Sequence, residues 1–91
     1  MSLRGDDWNE FADKVHVHIE TYTIPQYGDK DDDMANNFTA AQCVEHIERY
    51  ARRHGKNSRQ GQEKLDLLKI AHYAQMAYTK LQEQEDAIQQ K

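Results

Sequence analysis

Only one cysteine, Cys43, occurs in the 91 residues. It cannot close an intramolecular disulfide, and no Cys/His spacing of the metal-binding kind surrounds it, so the chain reads as belonging to a reducing compartment, by default the cytoplasm. Missing too is any apolar run near the roughly 20 residues that a membrane span needs. The segment Met1-Ser2-Leu3-Arg4-Gly5 lacks the apolar stretch of a signal peptide. Four glycines are present, but none forms a Gly-rich phosphate loop, and there is no nucleophile motif or internal repeat. Apolar residues make up 37%, below the roughly 45–50% usual for globular chains. Any core is therefore small. Cations are outnumbered, twelve Lys and Arg against sixteen Asp and Glu for a formal charge of −4. That balance argues against broad binding to duplex nucleic acid.

What is present is helical periodicity. Trp8, Phe11, Val15, Ile19 and Tyr22 recur at three- and four-residue steps, which predicts an amphipathic helix from about Asp7 to Tyr22. Asp6 or Asp7 is its expected cap, and Thr21, Thr23 and Ile24 before Pro25 mark its expected end, because a residue preceding proline is pushed out of the α region. Gln26 to Asn37, with Gly28, Asp29 and Asp31–Asp33, reads as an exposed loop. Thr39 and Gln42 fit a capping box, with Phe38 as a hydrophobic staple. A second helix follows to His54, with Gly55 as its left-handed stop.

Lys56 to Gln60 is a short polar connection, so the second and third helices are expected to be antiparallel neighbours. The third helix starts near Gly61 and carries a wide apolar stripe through Leu65, Leu68, Ala71 and Ala77 to Leu81. It then continues into a Gln- and Glu-rich tail. The expected organisation is a disordered N-terminus or cloning remnant over 1–5, a single helical domain over 6–82 and a fraying helical tail over 83–91. The expected fold class is all-α, with three helices per chain whose four-helix-bundle-like core is completed by oligomerisation into a homodimer or homotetramer.

Candidate chemistry centres on carboxylates. Glu45 and Glu48 lie three residues apart on the second helix, and Glu63 and Asp66 repeat that spacing on the third. Residues so spaced lie roughly 60° apart around a helix and can converge on one point. Four carboxylates facing one another repel unless a hard divalent cation neutralises them, and Mg²⁺ or Mn²⁺ meets that demand. The spacing is not unique, since Asp7/Glu10, Glu10/Asp13, Asp29/Asp32 and Glu83/Asp86 share it. The two central pairs differ in sitting beside apolar positions on consecutive helices, and partial burial is expected of them. The bland reading has them as solvated faces making i,i+4 contacts, such as Glu45 with Arg49 or Glu48 with Arg52.

The pattern Glu45-His46-Ile47-Glu48, fourteen residues, then Glu63-Lys64-Leu65-Asp66 resembles the metal-binding signature of the MazG-like all-alpha nucleoside triphosphate pyrophosphatases. The resemblance covers roughly Thr39 to Leu81 and includes the stretch from Asp66 to Tyr73. It implies a Mg²⁺-dependent nucleotide pyrophosphohydrolase, with Glu45, Glu48, Glu63 and Asp66 as metal ligands at the catalytic site. Such an enzyme cleaves a (deoxy)nucleoside triphosphate to the monophosphate and pyrophosphate. Val44 stands where the family often has a second adjacent glutamate, and the chain is short for a complete pyrophosphatase.

The alternatives are a non-catalytic helical oligomerisation or interaction module and a nucleotide-binding accessory protein. Arg52, Lys56 and Lys69 are the candidate phosphate contacts; the first two belong to a basic cluster that also holds Arg49, Arg53, His54 and Arg59 and equally suits a helix C-terminus. His46 and His72 are candidates to reach the carboxylates. His16 and His18, two residues apart, fall on nearly opposite helix faces.

Overall fold

The computed structural model describes residues 2–30, 37–56 and 59–89. The protein is all-α, with no strand among the described residues. The chain divides into two compact units, Met1–Asn36 and Asn37–Lys91.

The first unit is one helical path. Helix α1 (Leu3–His18) leads into a π-helical stretch (Ile19–Thr23) and then a short helix, α2 (Ile24–Tyr27). It starts earlier than the sequence suggested. Ser2, in extended conformation, takes the N-cap position, and its hydroxyl oxygen accepts from the Gly5 amide at 3.0 Å. Residues 3–5 are therefore helical rather than disordered.

The helix also runs past its expected stop. Ile24 stays in the α region (φ −63°, ψ −49°) although Pro25 follows it. Pro25 has no N–H and its ring would clash with the carbonyl one turn back. The wider π turn accommodates this, with the Ile24 amide donating to the Ile19 carbonyl, five residues behind. Thr21 adds a side-chain hydrogen bond to the Val17 carbonyl at 2.7 Å, an interaction that bends helices. Gly28, at φ 87°, ends the path.

The second unit is a helical hairpin of α3 (Ala40–Arg52) and α4 (Gln62–Gln89). The capping box forms as expected: the Gln42 amide donates to Thr39 Oγ1 at 3.1 Å, and the Thr39 amide donates to Gln42 Oε1 at 2.8 Å. Helix α3 ends at Arg52, and Gly55 supplies the left-handed turn at φ 79°. Its core is thin. Cys43 and Ala77 are the buried apolar residues among those described, and burial pushes the Cys43 thiol pKa up despite the opposing pull of Lys80. Between the helices, Phe38 stacks on His46 and His46 on Tyr73, with centroids 5.0 and 4.8 Å apart. Tyr73 lies in turn beside Tyr50 at 6.1 Å. Aromatic contact across the hairpin thus does work that aliphatic packing does in larger cores. Among the described residues, no helix is long and apolar enough to cross a membrane.

Candidate functional site

The two carboxylate pairs occupy different environments. On α3, Glu45 and Glu48 are exposed. Glu48 makes an open i,i+4 ion pair with Arg52 at 3.8 Å, which is the solvated arrangement and is worth little. At the start of α4, Glu63 reaches back to the inter-helix turn, where Glu63 Oε1 accepts from the Gly55 amide at 3.1 Å. Partial burial, expected of all four, holds for Asp66 alone.

Asp66 is 5% exposed and held from two sides. Arg53 forks onto it, Nε donating to Oδ2 at 2.8 Å and Nη2 to Oδ1 at 2.5 Å. Gln62, one turn earlier on α4 and itself buried, donates from Nε2 to Oδ1 at 2.8 Å. The Arg53 hydrogen bonds, helped by Gln62, hold the Asp66 carboxyl below the usual carboxylate range against the upward push of burial.

A hard cation needs open carboxylate oxygens, and both oxygens of Asp66 are already taken by donors. Among the described residues, no three His, Cys, Asp or Glu side chains gather in a group that could hold a metal ion. Within one chain, the quartet as placed does not fit Mg²⁺.

The end of the hairpin does form a cleft of about 350 Å³, lined from α3 and its turn by Tyr50, Ala51 and His54, and from α4 by Glu63, Asp66, Leu67 and Ile70. None of the three candidate phosphate contacts lines it. Arg52 pairs with Glu48, Lys56 sits exposed on the turn, and Lys69 lies 5.5 Å from the centre of the Tyr50 ring.

That ring is the feature that sequence reasoning missed. Arg53 at 4.8 Å and Arg49 at 5.4 Å also approach it, so one tyrosine gathers three cations. The signal was the placement of Tyr50 next to Arg49 and three residues before Arg53. Arg49 also contacts His46, Nη2 to Nδ1 at 2.7 Å, which ties the cation cluster to the aromatic ladder. His72 lies against Tyr73 at 6.5 Å.

In the first unit, His18 stacks on Tyr22 and Trp8 tilts against Phe11 at 5.7 Å. Asp31–Asp33 lie outside the described residues. No family model, curated protein or solved structure matches this chain.

Proposed function

We propose that this protein is a helical interaction module that works by self-assembly through its α3–α4 hairpin. One observation carries the reading. Five large apolar side chains of the hairpin stand in solvent, Val44 45%, Leu67 46%, Leu81 51%, Tyr78 71% and Ile88 72% exposed, while its buried apolar core among the described residues is Cys43 and Ala77. A domain this small closes its core against something else. A second hairpin offers the same unfinished surface and completes a four-helix bundle.

Sedimentation of the full chain over a dilution series tests this. The expected mass is twice that of one chain, shifting to the monomer when Leu81→Asp places a charge on the exposed apolar face. A monomer at every concentration overturns the reading.

A second reading, pyrophosphohydrolysis of a nucleoside triphosphate, has one observation in its favour beyond the acid spacing. Glu63 and Asp66 line a common cleft with His54. Pyrophosphate release from a panel of triphosphates with Mg²⁺ or Mn²⁺, lost in Glu48→Gln and in Asp66→Asn, is its test.

A further inference from the structure

The exposed apolar residues of α4 are not scattered. Leu67, half-buried Ala71, Ala74, Tyr78 and Leu81 follow one another at steps of four, three, four and three; Glu85 takes the next position and Ile88, 72% exposed, the one after it. This is the a/d spacing of a coiled-coil seam. It lies beside the face of α4 that carries buried Asp66 and Ala77, and it continues beyond them toward the C-terminus. At the hairpin's end, Leu67 of the seam shares the cleft with Ala51 of α3. The positions flanking the seam are Leu68, Gln75, Gln82 and Gln89 on one side and Ile70, Ala77 and Gln84 on the other. None is charged, so an identical seam meets no repulsion from its flanks.

Resting on the self-assembly reading, we propose that the occupant of this seam is α4 of a second copy, lying antiparallel about a two-fold axis near residue 76. In that register small meets large. Ala74 faces Tyr78 of the second copy and Ala71 faces its Leu81, each twice by symmetry. Leu67 is opposite the stem of Glu85 and Lys64 opposite Ile88. The Lys64 ammonium then lies within one turn, about 4.5 Å along the axis, of Glu85 of the second copy. A parallel arrangement does the reverse: it stacks Ala on Ala and Tyr on Tyr, which leaves voids, and sets Glu85 against Glu85 inside the seam.

The full chain carrying Gln89→Cys, spin-labelled at that exposed position, distinguishes the two. Cys43 is fully buried and stays unlabelled. The antiparallel register places the two labels roughly 40 Å apart, against less than about 20 Å for a parallel pair. Charge exchange gives an independent readout. Lys64→Glu is expected to weaken dimerisation about three- to tenfold, and adding Glu85→Lys to it is expected to restore the affinity. A stable dimer with a short label distance, or with no rescue by the double exchange, overturns the register and leaves self-assembly standing. A monomer throughout overturns both.

Discussion

The two units of this chain solve the same problem, keeping a helix folded, by different means. None of the helical segments in Leu3–Tyr27 contains a buried residue. That path is held by backbone ladders, the Ser2 cap and short-range contacts such as His18 on Tyr22. The hairpin has few buried residues too, but it ties distant parts of the sequence together: Arg53 to Asp66, Phe38 through His46 to Tyr73, and Glu63 to the Gly55 turn. Local hydrogen bonds leave a helix near the margin of stability, whereas contacts across a turn make unfolding cooperative. The difference locates most of the cooperative stability in the second unit.

The largest expected effect is therefore at Asp66. Asp66→Asn keeps the shape but removes the charge that Arg53 and Gln62 hold, and is expected to cost about 1–3 kcal/mol, with the lower part favoured because the Arg53 side chain is 40% exposed. The sign of the pH dependence follows from the lowered pKa. A carboxyl that titrates lower folded than unfolded stabilises above its ordinary range, and that contribution disappears as the pH falls through the folded-state value. Melting temperatures should thus drop on acidification in the native chain and less so in Asp66→Asn. Equal acid sensitivity in the two proteins would remove Asp66 as the clamp.

The role of Asp66 shows how far the sequence could be read. Periodicity placed α3 and α4, Thr39 and Gln42 announced their capping box, and Gly55 its turn, because each signal is local and has one main physical meaning. The carboxylate spacing was equally visible, but spacing states only which side chains can converge. It says nothing of competitors. Arg53, thirteen residues before Asp66, reaches it only because the turn folds back, and that turn geometry is not written in any short motif. Pro25 misled for a related reason: a proline ends a helix in most contexts, and a π turn that absorbs it has no sequence signature beyond the residues around it. The heptad of α4 was legible as a broad stripe, and only exposure separates the part facing α3 from the part left open.

Two N-caps of the same chemistry sharpen the contrast between the units. Thr39→Ala removes the Oγ1 that accepts from the Gln42 amide on α3 and leaves the Thr39 backbone amide its bond to Gln42 Oε1; it is expected to cost about 1 kcal/mol of cooperative stability, read as a lower midpoint in denaturant at unchanged slope. Ser2→Ala removes one comparable bond, to the Gly5 amide, from a helix that can fray at that end without exposing buried surface. Its loss should be local: faster amide exchange at Gly5 and Asp6, with a change of about 0.5 kcal/mol or less in the main transition. If Ser2→Ala lowers that transition as far as Thr39→Ala does, the first helix carries buried surface after all and the two units share their stability. If only the exchange rates move, the first unit is a helix maintained residue by residue, and the hairpin alone sets the temperature at which the protein unfolds.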